Sequence, residues 1–324
     1  MREMKNSRSA EWVRWGTLLA LGLTGCNRAA PVREAPKAQA LCFAERPARM
    51  HALAPEQWRA EPLFQLLLSG YDARTGQVAT PHTDCMGTPV LWEDPAPGEC
   101  VEASAASTPL PVRPLTPADL VVSEVRPDLQ LVWAVVRHFS DGDGMGPVAL
   151  VESTPRGLAV RALGVLRSRT RNAKLRMERV GGADLLVAEG ERCSGPNAAS
   201  CQRSVRMVFQ RGNRFINESV LNAQGACASP GVFQLNRTAS RTLPSRWLRR
   251  YDYTAALSFG TDGIRVQEQM FVNDLDPRQP TMPARQFRKA QIERRVQVSS
   301  GRLVVDDTSL WGRLLEEGAT ESGQ

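Results

Sequence analysis

Closely spaced aspartates, a few histidines, seven cysteines and many arginines are the residues of this 324-residue chain that could do chemistry. Asp141-Gly142-Asp143-Gly144 places two carboxylates beside two glycines, a composition that can chelate calcium, which takes about six to eight oxygens. The further acid that closes a calcium loop is missing, because Met145, Gly146 and Pro147 follow. A tight connection between strands explains the same glycines. The histidines are His51, His82 and His138. His82-Thr83-Asp84-Cys85 has ligand-type side chains, but its cysteine is a better disulfide partner. His138, near Ser140 and Asp141, has the residue types of a nucleophilic triad, yet adjacent strand residues point to opposite faces. No G-x-S-x-G elbow, H-E-x-x-H helix or G-x-x-x-x-G-K phosphate loop occurs. The carboxylate pairs Glu93/Asp94, Asp306/Asp307 and Glu316/Glu317 are mere sequence neighbours, best read as solvated. The chain is therefore expected to carry no catalytic residue, no metal and no cofactor.

The N-terminus holds a sharper signal. Arg2, Lys5, Arg8 and Arg14 make a basic start diluted by Glu3 and Glu11, and an apolar stretch runs from Trp15 to Leu23. This layout is that of a secretory signal, too short for a mature membrane span. It ends in Leu23-Thr24-Gly25-Cys26, which resembles the lipobox of bacterial lipoproteins; the resemblance covers the leader alone. It implies that residues 1–25 are removed, that the Cys26 thiol carries a diacylglycerol, and that its new amine is acylated. Each buried methylene contributes about 0.8 kcal/mol, and one chain gives only marginal attachment, so anchoring rests on two or three. Asn27 stands where lipoproteins kept at the inner membrane commonly carry Asp. The resemblance thus implies the periplasmic face of an outer membrane.

Setting Cys26 aside leaves Cys42, Cys85, Cys100, Cys193, Cys201 and Cys227, an even number that suggests disulfides in an exported chain. Cys193–Cys201 is the preferred pair, because the intervening SGPNAAS has a loop's composition; Cys85–Cys100 is the second choice. No CxxC or CxxxxH spacing supports a metal cluster.

Charge is uneven. The whole chain is +7; without the leader's four basic and two acidic residues it is +5. Arg161, Arg167, Arg169, Arg171, Lys174, Arg176 and Arg179 meet only Glu178 nearby, and Arg241, Arg246, Arg249 and Arg250 sit beside Trp247, Tyr251 and Tyr253. Export argues against nucleic acid, so Arg167, Arg169, Arg171, Arg246, Arg249 and Arg250 are candidates for an anionic envelope ligand. Composition offers a blander reading, since only four lysines accompany 37 arginines.

These residues must be positioned by a mainly-β body. Residues 26–40 read as a flexible tether, reaching about 45–50 Å at roughly 3.3–3.6 Å per residue. Residues 41–94 form a small irregular region, in which Glu56–Leu68 suggests a short helix that Pro62 breaks into an early turn and a second piece, Leu63–Leu68, followed by a turn-bearing segment over Tyr71–Val78. Residues 95–117, with six prolines, read as a linker. From 118 to 317, strands recur with short turns: Leu131–Phe139, Pro147–Glu152, Leu158–Leu166, Lys174–Val180, Asp184–Glu189, Val205–Gln210, Tyr253–Phe259, Ile264–Val272, Gln286–Val298 and Arg302–Asp306. Thr116–Asp119 is expected to make one helical turn and Leu310–Glu317 a helix capped by Ser309; 318–324 is a frayed tail. Connections this short predict antiparallel pairing in a curved sheet, a half-open barrel or a sandwich. A small β-propeller is the alternative, without a visible repeat.

The expected function is a lipid-anchored envelope protein that binds or scaffolds without catalysis. Its ligand would be an envelope protein, a glycan or a lipid, the last held as an acyl chain inside a curved sheet. The alternative is an exported hydrolase of an envelope polymer.

Overall fold

Hydrophobic alternation at period two dominates the chain, and strands are what it forms. A computed structural model describes residues 39–45, 60–92, 100, 107–194, 200–279 and 281–314. The lipobox Leu23–Cys26, most of the tether, His51, Glu93, Asp94, most of 95–106 and residues 315–324 lie outside the described residues. No helix among the described residues is long and apolar enough to cross a membrane.

Strand β1 (Phe43–Glu45) precedes helix α1 (Ala60–Leu67) and the hairpin β2 (Leu68–Asp72) and β3 (Gln77–Asp84). Pro62 sits in the first turn of α1, where its missing N–H costs nothing. Then come β4 (Leu120–Arg126), β5 (Leu129–Ala134), β6 (Arg137–His138), β7 (Asp143–Thr154) and β8 (Gly157–Arg169). Next are β9 (Arg171–Val180), β10 (Ala183–Ser194), β11 (Ser200–Arg211) and the short β12 (Arg214–Ile216), β13 (Val220–Leu221), β14 (Cys227–Ser229) and β15 (Val232–Gln234). The last are β16 (Asn236–Thr242), β17 (Leu248–Gly260), β18 (Gly263–Leu275), β19 (Arg285–Ser299) and β20 (Arg302–Val305).

Two large sheets result. The first runs β4-β5-β7-β8-β12-β11-β10-β9, with β1, β6 and β15 paired at its flanks. Its ends meet, since β4 lies against β9 and the Leu175 amide donates to Ser123 Oγ at 3.2 Å. This is a nearly closed barrel, the half-open architecture expected rather than the propeller. The second runs β14-β13-β20-β19-β18-β17-β16. Pairing is antiparallel except between β12 and β8 and between β13 and β20.

Alternation along each strand sorts the core into layers. Leu131, Trp133, Val148, Ala162, Leu166, Leu186, Val208 and Phe215 form a cluster drawn from strands around the first sheet, and they fill the barrel. From the alternate faces, Val132, Ala134, Ala149, Val151 and Val160 pack under α1 through Leu63, Phe64 and Leu67. Leu185, Val187, Val205, Met207 and Phe209 pack against Ile264, Val266, Val296, Leu303 and Val305 of the second sheet. Gly146 is where the barrel wall is tightest, because an added Cβ would come within 1.7 Å of the Ala134 carbonyl oxygen.

Residues 38–324 form one compact unit, so the proline-rich stretch does not divide it. Its described part is hydrogen-bonded to the body, from the Leu110 amide to His138 O (2.8 Å) and from the Leu115 amide to Gly76 O (2.7 Å). The strand expected over Leu131–Phe139 breaks after Ala134: the Val135 amide goes to Asp119 O and the Val136 amide to Met145 O.

Candidate functional site

The two arginine groups singled out by sequence meet different fates. Asp143 opens β7 and faces Arg169 at the end of β8. Arg169 Nη1 donates to Asp143 Oδ1 at 2.7 Å and lies 3.6 Å from Asp141 Oδ2. Arg167 Nε reaches Asp143 Oδ2 at 3.3 Å, and its guanidinium stacks 4.2 Å from the Phe139 ring. It also donates to Ser107 Oγ. Burial pushes the Asp143 carboxyl up against the pull of Arg169; Asp141 adds to the rise, while Arg206 and Arg167 oppose it. The two aspartates thus take guanidinium partners, and the arginine side chains are only 16% and 12% exposed. Arg167 and Arg169 are therefore not an open anion surface; the acids that engage them arrive from the facing strand, which sequence adjacency could not reveal. Arg171, at the start of β9, is exposed.

His138 is likewise in a staple. Asp119 is 1% exposed, and its Oδ1 lies 2.9 Å from His138 Nε2 and 2.5 Å from Arg113 Nη2. Arg113 Nη1 donates to Oδ2 at 2.8 Å, as do the Thr116 amide (2.8 Å) and hydroxyl (2.9 Å). Burial would push the Asp119 carboxyl up, but the bonds from His138, Arg113 and Thr116 together hold it far below the usual carboxylate range. The cluster fastens the proline-rich strap and the Pro117–Asp119 turn to β6.

The cysteines join as Cys42–Cys85, Cys100–Cys227 and Cys193–Cys201. Cys193 and Cys201 face each other across the β10–β11 pair, as the loop between them suggested. The expected Cys85–Cys100 pair is replaced: the β2–β3 hairpin lies beside the segment leading into β1, which puts Cys85 against Cys42 instead. Glu191 lies near Cys193 and Cys201 with metal-ligand spacing, but both thiols are consumed in the disulfide.

The second arginine group builds a pocket. On β17, Tyr251 and Tyr253 alternate toward one face of the second sheet; Met270 and Val272 do so on β18, and Ala290 on β19. Beyond the barrel contact this face is covered by a helical turn at 310–314, which contributes Leu310, Trp311 and Leu314. The turn starts as expected, with the Gly312 amide bonded to Ser309 Oγ at 2.9 Å. It is tied to the sheet by Glu268, whose Oε2 accepts from the Leu310 amide at 2.7 Å. Glu268 is itself paired with buried Arg294.

Between the turn and the strand ends lies a cavity of about 350 Å³. Its lining includes apolar Tyr251, Met270, Val272, Ala290, Leu310 and Leu314, with Arg241, Arg249, Arg288 and Arg313 around them and no acidic residue among the described ones. Arg249 is oriented by Asp274, with Nε–Oδ1 at 2.7 Å and Nη2–Oδ2 at 2.9 Å, and lies 3.8 Å over the Phe287 ring. Those bonds hold the Asp274 carboxyl below its ordinary range against a smaller effect of burial, and Arg285 adds to the lowering. A bulge between Val272 and Asn273 in the β18–β19 register places Phe287 and Arg288 together at the rim. Of the second group, Arg241 and Arg249 line the cavity. Arg250 pairs with Asp252 at 2.9 Å, and Arg246 sits in the β16–β17 turn with φ 65°. Sequence reasoning missed Arg288 and Arg313, which come from remote segments.

No family model matches this chain, and no curated protein or solved structure shows significant similarity to it. What the fold and site define is a mainly-β, disulfide-bonded two-sheet body with an arginine-rimmed apolar pocket.

Proposed function

We propose that this chain is an exported lipoprotein of the cell envelope, held at the periplasmic face of an outer membrane through acylated Cys26, whose β body binds a ligand without catalysis. The observation that carries the reading is the Leu23-Thr24-Gly25-Cys26 quartet closing a basic-then-apolar leader. The three disulfides of the body support it, since such bonds persist in oxidising compartments. A binding role in the barrel lumen is disfavoured, because Trp133, Leu131, Leu166 and Leu186 fill it at 0% exposure. The hydrolase alternative would need a cleft gathering two carboxylates, or a serine in bonding reach of His138 or His82; His138 Nε2 lies 2.9 Å from Asp119 Oδ1, and His82 Nδ1 lies 3.2 Å from the Ala79 carbonyl oxygen.

Intact-mass analysis of the protein recovered from membranes tests the anchor. The expected chain begins at Cys26 with thioether-linked diacylglycerol, and Cys26→Ala abolishes both cleavage and lipid labelling. An unmodified Cys26 thiol, or a mature chain still beginning at Met1, overturns the reading.

A further inference from the structure

The arginine-rimmed cavity on the second sheet has two chemistries in one place. Its floor is made of Met270, Val272, Ala290, Leu310 and Leu314 with the Tyr251 ring, side chains that give up hydration cheaply and offer few hydrogen bonds. Its rim is cationic. Arg241 on β16 stands directly across from Arg249 on β17, and Asp274 lies across from Arg249 on its other side. Arg288 adds a further guanidinium, exposed and without an ion pair among the described residues. The volume, about 350 Å³, falls at the small end of ligand sites, roughly 300–1,000 Å³.

A glycan would want polar side chains on the floor, and a bare phosphate would have no use for the aliphatic ones. An acidic peptide would satisfy the rim but leave the apolar depth empty. We propose that this cavity binds a single-chain anionic amphiphile, with its hydrocarbon on the Tyr251–Met270–Val272–Ala290 floor and its carboxylate or phosphate head between Arg241, Arg249 and Arg288. The assignment deepens the envelope-binding reading, since an amphiphile is a ligand a membrane-tethered body would meet. Dodecanoate binding is counted per chain and the anchor is read by mass, so either idea can fail alone.

The test uses the full mature chain in phosphatidylcholine nanodiscs, dialysed to equilibrium against radiolabelled dodecanoate, with protein-free nanodiscs as blank. Dodecyl phosphate, dodecanol and butyrate compete in separate arms. One dodecanoate per chain is expected, displaced by dodecyl phosphate and at least about tenfold less well by dodecanol or butyrate, the factor one charge-assisted contact supplies. Arg288→Gln should weaken binding about tenfold with an unchanged melting temperature, because this exposed side chain has no role in packing. Ala290→Trp, which fills the floor, should abolish binding, and Arg171→Gln should leave it unchanged. No saturable binding above the blank, equal competition by dodecanol, or an unaltered affinity in Arg288→Gln overturns the proposal. A chain ending at Leu314 lacks Glu316, Glu317 and Glu321. If it alone binds dodecanoate, the C-terminal segment is the natural occupant and the proposal fails; equal binding by both lengths supports it.

Discussion

The pair Glu268–Arg294 should dominate the stability of the second sheet. Both residues interrupt apolar stripes: Glu268 sits between Val266 and Met270 on β18, and Arg294 between Ile292 and Val296 on β19. Register places Glu268 opposite Ile292 and Arg294 opposite Val266, so the two charges meet on the diagonal. Their side chains are 0% and 6% exposed. Arg294 Nε donates to Glu268 Oε1 at 2.7 Å, and its Nη1 donates to the Asp307 carbonyl at 3.1 Å. Glu268→Gln keeps the shape and removes the charge, which leaves a guanidinium in a site without compensating anion. Breaking one side of such a pair costs about 3–5 kcal/mol. At about 2 °C per kcal/mol for a body of this size, the melting temperature should fall by roughly 6–10 °C. Calorimetry with the disulfides intact measures it directly. The double variant Glu268→Leu/Arg294→Met should recover most of the loss, since apolar replacement of a whole buried pair is often neutral. It should still weaken amphiphile binding, because the Leu310 amide loses its acceptor and the pocket wall loosens. A fall of under about 1 kcal/mol for Glu268→Gln would show that water reaches Arg294, and the layering derived for this sheet would be wrong.

Other outcomes follow from the same geometry. The Asp119 carboxyl is held below its unfolded value of about 3.9, so the stability it contributes is complete above about pH 5 and is lost as pH falls. Asp119→Asn should therefore flatten the acid limb of a stability–pH curve, and parallel limbs would refute the staple. Disulfide loss should rank by closed loop: with sequence separations of 127, 43 and 8, chain-entropy losses of about 5, 4 and 2.6 kcal/mol are expected for Cys100–Cys227, Cys42–Cys85 and Cys193–Cys201. Paired Cys→Ser variants in denaturant titrations check the order. Gly146→Ala should be among the most damaging small substitutions, at about 3 kcal/mol or more from overpacking, read as lost soluble yield or a lowered midpoint. Arg169→Gln should destabilise the barrel yet leave dodecanoate affinity intact, whereas Arg288→Gln should do the reverse.

Much of the strand content was legible because one-sided burial forces alternation. The turn Gly260-Thr261-Asp262-Gly263 marks the β17–β18 hairpin, and Gly260 pairs with Gly263. The Ser299-Ser300-Gly301 turn likewise joins β19 to β20. Ser309 marked a helix start because its hydroxyl accepts from the Gly312 amide, whereas Pro62, expected to break the helix, sits inside the first turn of α1. What resisted reading was everything set by register between distant strands. The parallel contact of β13 with β20 joins residues more than 80 apart in sequence, and no local pattern encodes it. The Cys85 partner was missed for the same reason, since proximity in space here runs through the β2–β3 hairpin rather than along the chain.

The arginines show what that limit means for function. In sequence, the run Arg161–Arg179 looked like the more concentrated field, opposed by Glu178 alone. In the fold, Arg161 meets Glu152, Arg167 and Arg169 meet Asp141 and Asp143, and Arg176 meets Glu178 and Glu189. An antiparallel hairpin pairs each cation with whatever the neighbouring strand carries, so a one-strand charge count overstates the field wherever that strand is acidic. At β16–β17 the neighbour of Arg249 is Arg241, and Asp274 faces Arg249 from β18. What a cation cluster can bind therefore depends on the residues around it, and here the arginines rim an apolar floor.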